Sequence, residues 1–279
     1  MRPFQILGVV WAVALVAAAR PAHAQVFAQA VPVKYNLTVR PGEPVARDVM
    51  ISNLGDTPVV VRVHYSDWEL SEEGELSMAP AGSTSHSLSG VVTFEPAQFS
   101  LQPGESGRIH LTMTLPIDGP ATRWGLVLSE VRPAVMRSPK FGPRAIAELG
   151  TTIYLSRIPA EEIRPELTSM DVSRVGRDSL AVSIRMRNAG QRHLYVAGEI
   201  ALSDSTGTKV KTGALGTGVV LPQQVRVFTW MCEAGLNPGR YAVTATLDTG
   251  EPELTVGETQ MRWPMPAPSG VPLAQQRSP

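Results

Sequence analysis

Thr57-Pro58-Val59-Val60-Val61-Arg62-Val63-His64-Tyr65 begins as a solid apolar run and then alternates apolar with polar residues. A strand that is central early and half-exposed later reads this way. The same grammar extends in both directions. Short β-rich runs recur at intervals of about ten residues, punctuated by Gly, Pro, Asn and Asp, and helical periodicity is nearly absent beyond the first two dozen positions. That spacing predicts an all-β chain made of sandwiches.

The expected strands of a first unit are 34–39, 47–52, 59–68, 91–95, 108–115, 124–131 and 145–156. Pro41-Gly42-Glu43 and Pro103-Gly104-Glu105 are type II turn candidates, since Pro fixes φ at the first turn position and Gly accepts φ > 0 at the second. A second unit repeats the pattern at 168–174, 180–187, 193–202, 209–212, 225–231, 239–247 and 258–263. Asn188-Ala189-Gly190 closes its second strand as Asn53-Leu54-Gly55 closes the matching strand of the first. The expected division is a first sandwich over 25–158, a short stiff linker over 159–165 with prolines at both ends, and a second sandwich over 166–263. A Pro-rich tail over 264–279 has no apolar period and is expected to be disordered.

Residues 1–24 have a different character. Arg2 precedes the apolar run Ile6-Leu7-Gly8-Val9-Val10-Trp11-Ala12-Val13-Ala14-Leu15-Val16, and the segment closes with Ala22-His23-Ala24. A basic start, a hydrophobic middle and a small-x-small ending make a secretory signal peptide. The run is short of the roughly 20 apolar residues that a spanning helix needs. The mature chain is therefore expected outside the cytoplasmic membrane. Its loss removes Arg2 and Arg20 and no acid, leaving 23 Lys and Arg against 25 Asp and Glu. No basic field remains for nucleic acid or anionic lipid. Hydrophobic residues make up 43% of the chain, which excludes global disorder. Cys232 is the single cysteine, so no internal disulfide forms. Its neighbours Phe228, Trp230 and Met231 read as a buried strand, which makes an inert thiol the expectation.

No catalytic constellation stands above background, so binding is expected and an enzyme is not. His64, His86, His110 and His193 are scattered, and no pair has chelating spacing. Neither a metal nor any other cofactor is expected. Glu69, Glu72, Glu73 and Glu75 surround Gly74 at a hairpin tip, where a solvated turn is a better reading than a calcium loop without interleaved Asp. Ser83-Thr84-Ser85-His86-Ser87 lacks a Gly-x-Ser-x-Gly elbow and reads as a loop.

Four stretches of the first unit carry a family likeness: 49–58, 124–128, Ile153-Tyr154-Leu155 before Pro159, and Phe94-Glu95-Pro96-Ala97-Gln98-Phe99-Ser100-Leu101-Gln102-Pro103-Gly104-Glu105-Ser106. Together, over about residues 31–160, they resemble the N-terminal immunoglobulin-like domain of the PapD-like periplasmic chaperones of pilus assembly. The resemblance implies two tandem immunoglobulin-like β-sandwiches and a periplasmic chaperone-like role. It implies an exported, pilin-like partner bound by strand addition to a sheet edge. In this chain the corresponding strand is 144–156. Its apolar row Ala147, Leu149, Thr151, Ile153 and Leu155 would meet the client. An ordinary strand packing one row on its own core has the same alternation.

The family also uses an arginine in the first strand and a lysine in the last to hold the client's terminal carboxylate. Tyr154 stands where that lysine belongs, and no arginine stands in the first strand, leaving Lys34 and Arg144 as candidate anchors. The competing reading is a structural or adhesive module of the cell surface or cell wall, found extracellularly. The signal segment yields a direct test: N-terminal sequencing of exported protein should begin at Gln25, and a retained Met1 on a membrane-embedded product would overturn the reading.

Overall fold

The computed structural model describes residues 26–134, 146–159, 163–176 and 178–265. The segment expected to be a signal peptide, Arg144 and most of the tail lie outside the described residues, as does the middle of the linker.

Ten strands build the first sandwich: β1 (Ala28–Val31), β2 (Lys34–Val39), β3 (Pro44–Asn53), β4 (Val59–Leu70), β5 (Leu76–Ala79), β6 (Val92–Glu95), β7 (Gln98–Leu101), β8 (Ser106–Thr114), β9 (Thr122–Pro133) and β10 (Ala147–Arg157). One sheet runs β1-β3-β8-β6. The other runs β2-β10-β9-β4-β5, with β7 also paired to β4. Inward rows from the two sheets meet in one core of Val49, Ile51, Val61, Ile109, Leu111 and Met113, with Ile153 and Leu155 from β10. The alternation that predicts these strands is the alternation that fills this core. Strands β1, β5 and β7 escaped the sequence reading; at four residues a strand shows little period, and β6 is the only one of that length it placed.

The first strand divides between the sheets. β1 pairs with β3, and after Pro32 the chain crosses so that β2 runs parallel to β10. Proline suits the crossing because it has no N–H to leave unpaired. The turns at Gly42 and Gly104 have φ of +81° and +76°, as the type II expectation requires. Buried Asp67 accepts hydrogen bonds from Ser87 Oγ (2.7 Å), the Ser83 amide (2.9 Å) and the Tyr65 hydroxyl. It thereby fixes the loop that carries His86.

The second sandwich contains β11 (Pro165–Val175), β12 (Ser179–Asn188), β13 (Leu194–Ser203), β14 (Lys209–Val220), β15 (Val225–Glu233), β16 (Gly239–Asp248) and β17 (Thr255–Trp263). Its sheets are β11-β12-β15 and β14-β13-β16-β17. β14 is much longer than the 209–212 expected, because its glycines read as loop. They serve close packing instead: a Cβ at Gly213 would overlap the Trp230 indole, so only glycine lets β15's indole lie over β14. Cys232 is only half-buried, on the edge strand β15, where burial raises its thiol pKa.

The sequence echo at Asn53 and Asn188 is a structural repeat. Each amide is fully buried and brackets the turn that follows. Asn53 Nδ2 donates to the Thr57 carbonyl (2.9 Å), and its Oδ1 accepts from the Gly55 amide (3.1 Å). Asn188 Nδ2 donates to the carbonyls of Arg192 (2.8 Å) and Val220 (3.1 Å), and its Oδ1 accepts from the Gly190 amide (3.0 Å). Asn188→Ala leaves those buried groups unpaired. It should cost about 2–3 kcal/mol in urea unfolding, and a change below about 0.5 kcal/mol would show that the bracket is dispensable.

Candidate functional site

Strand β10 is covered unequally. On one side it pairs with β9 along its length, from Ala147 opposite Val131 to Ser156 opposite Thr122. On the other side β2 covers only Thr152 through Arg157. The Thr152 amide donates to the Val33 carbonyl at 3.0 Å, and that is where the cover ends. Backbone groups alternate sides along a strand, so the N–H and C=O of Glu148 and Gly150 point the same way as those of Thr152. Among the described residues no strand pairs with them there. Val31, Val33 and Ile146, at the ends of the neighbouring segments, are large exposed apolar residues.

This geometry divides the row expected to meet a client. Ala147 and Leu149 are half-buried against the sandwich core, and Thr151 Oγ1 donates to the Pro32 carbonyl at 2.9 Å. Ile153 and Leu155 have no exposed surface and belong to the core itself. The expectation of one continuous client-binding row over all five residues is corrected here: β2 takes the backbone and the core takes the side chains from Thr152 onward. Lys34 lies in the β2 half, opposite Thr152, with its ammonium 4.2 Å from the centre of the Tyr195 ring. Arg144 lies outside the described residues.

Tyr154 joins the edge strand to the second sandwich. Its ring stacks on His193 with centroids 4.2 Å apart and planes 21° apart, and it meets Trp68 edge-on at 6.0 Å. Trp68, Trp124, Leu126, Leu128 and Tyr154 from the first sandwich close around Leu221 from the second as one buried cluster. His86 backs this cluster by stacking on Trp124 at 4.2 Å. Where the resemblance places an anchoring lysine, the chain therefore has an aromatic joint. Burial pushes the Tyr154 phenol pKa up, and the neighbouring Tyr195 adds to this. Burial pushes His193 down to about 4, assisted by the charges of Arg192 and Lys34.

A second clasp lies at the β4–β5 hairpin tip. The Glu72 carbonyl accepts from the Val227 amide at 2.6 Å, and its carboxylate meets the Arg185 guanidinium at 2.6 Å. The hairpin tip expected to be a solvated turn thus docks on β12 and β15. Both charged groups stay half-exposed, so their pairing contributes at most about 1 kcal/mol. The aromatic cluster dominates the joint.

Beside the joint opens a cleft of about 440 Å³ lined by Asn36, Thr38, Arg192, His193, Tyr195 and Asp248. His193 Nδ1 and Thr249 Oγ1 are buried there without a hydrogen-bond partner among the described residues. Arg192 reaches Glu251 at only 3.9 Å. The cleft thus holds the Arg192 cation of the second sandwich, and Lys34 of the first lies over Tyr195, one of its lining rings. Sequence reading missed Arg192 and His193. The available signal was the alternation of His193 with Tyr195, which puts both rings on one face of a strand.

Replacing Tyr154 by Ala should remove the joint's central ring. We expect a loss of about 3 kcal/mol or more, and a single calorimetric transition splitting into two as the sandwiches uncouple. One unshifted transition would mean that the ring does not hold the sandwiches together.

No protein-family model matches the chain, and no curated protein matches it. Solved structures do. The class 5 fimbriae chaperone CfaA is 13% identical, with 83% of this chain and 98% of that one covered at a TM-score of 0.44. The E. coli chaperone DraB is 14% identical, with 85% and 98% covered at 0.40. The Pseudomonas aeruginosa CupB2 chaperone is 13% identical, with 84% and 98% covered at 0.38. At these identities the likeness to the PapD-like fimbrial chaperones is one of fold alone.

Proposed function

We propose that this chain is an exported, periplasmic chaperone-like protein that holds a pilin-like subunit by pairing a client strand with residues 147–151 of β10. The observation that carries the reading is the unequal cover of β10. Its lower half is sealed by β2, and its upper half offers the backbone of Glu148 and Gly150 beside exposed Val31, Val33 and Ile146. Backbone pairing supplies affinity, and the half-buried Ala147 and Leu149 supply register. Lys34, over the Tyr195 ring, and Arg192, in the cleft, are the cations proposed to meet a client's terminal carboxylate. The role is binding, not catalysis.

The test uses the open-edge amide of Glu148. Glu148→Pro removes it while leaving the bonds to β9, which come from the odd-numbered residues. Glu148 also faces His64 at 3.4 Å, so Glu148→Ala controls for that contact. Exported subunits should co-purify with wild type and with Glu148→Ala but not with Glu148→Pro, at melting temperatures within about 2 °C of each other. Clients retained by the proline variant would remove the edge from the mechanism and bring the surface-module reading forward.

A further inference from the structure

His193 belongs to the second sandwich, yet its ring lies flat on Tyr154 of β10 and is only 4% exposed. Nothing acidic is hydrogen-bonded to it, and its Nδ1 takes no partner among the described residues. The charges that act on the ring are cations from two elements. Lys34 stands on β2 over the Tyr195 ring, which meets His193 edge-on at 5.5 Å, and Arg192 is its chain neighbour. Arg226 acts on Tyr154, the ring that His193 stacks against. The acids nearby are already engaged: Asp248 Oδ1 accepts from the Gly250 amide at 2.8 Å, and Glu251 faces Arg192. A proton on His193 would therefore put a buried charge against Lys34 and Arg192 with no acid hydrogen-bonded to it, in the contact that joins the sandwiches.

We propose that this joint is an acid-sensitive latch: neutral His193 holds the two sandwiches together, and protonation of His193 parts them and releases β10 from the second sandwich. The sign follows from the direction of the shift. His193 is held below its ordinary value near 6.5 in the closed form and regains that value once exposed. The open form then binds the extra proton. The latch has its full strength above about pH 6.5 and loses it as pH falls toward 4, with the open-to-closed ratio rising about tenfold per pH unit. The proposal is independent of the client reading, since neither Glu148 variant alters His193 or Tyr154.

Small-angle scattering of the full mature chain tests it, read together with tryptophan fluorescence, because Trp68 and Trp124 lie in the joint. Glu72→Ala serves as the parent, since it weakens the second clasp and lets opening accumulate. Between pH 7.5 and 5.0 the parent should gain maximum dimension and shift its emission to the red. Adding His193→Phe, which keeps a stacking ring and cannot titrate, should abolish both changes. If the phenylalanine variant does not fold, His193→Gln takes its place with the same expectation. An unchanged parent, or acid opening that survives the His193 substitution, overturns the latch.

Discussion

The first strand serves two sheets, and most of what distinguishes this molecule depends on that division. Residues 28–31 belong to one sheet and 34–39 to the other, with the crossing at Pro32. A strand of fixed rise covers only as much of its neighbour as its own length allows. Because β2 begins at Lys34, its pairing with β10 begins at Thr152, and residues 147–151 keep a free side. The same crossing brings Lys34 onto Tyr195, one of the rings that line the cleft. The free edge and the contact of Lys34 with the second sandwich both follow from where one strand changes partner.

β10 then does three things along eleven residues. Its upper part is an edge, its odd-numbered lower residues Ile153 and Leu155 are core, and Tyr154 between them faces the second sandwich. Strand alternation makes the combination possible, since neighbouring residues point to opposite faces. A second domain that grips Tyr154 is thus four residues from the free backbone of Gly150. The hairpin at Glu72 grips the other end of the same sheet, so the second sandwich braces that sheet from both sides.

The strands were legible because their signal is local. Period-2 alternation and Gly, Pro and Asn punctuation located most elements of both sandwiches, and the Asn53 and Asn188 echo proved to be one hydrogen-bonding device used twice. Pairing is not local, and this is where sequence reading stopped. Ala147 through Leu155 alternate identically whether their open side meets a client or β2, so the point at which cover begins could not be read from the row. Glu72 looked like a solvent charge because its partners Arg185 and Val227 are more than a hundred positions away. β14 was cut short because Gly213 is read as a breaker until the indole that requires it is in place.

The brevity of the free edge bears on solubility. Five residues, one of them a carboxylate at Glu148 and one a glycine at position 150, fall short of the six- or seven-residue uncharged segments that stack into cross-β fibrils. Long flat edges invite indiscriminate pairing, and a charge or a break in side-chain packing discourages it. With β2 ending the free stretch at Thr152, an incoming strand finds only a few hydrogen bonds unless its side chains also fit the core beneath Ala147 and Leu149. The molecule can therefore keep unpaired backbone in water at high concentration without acting as a template for its own precipitation.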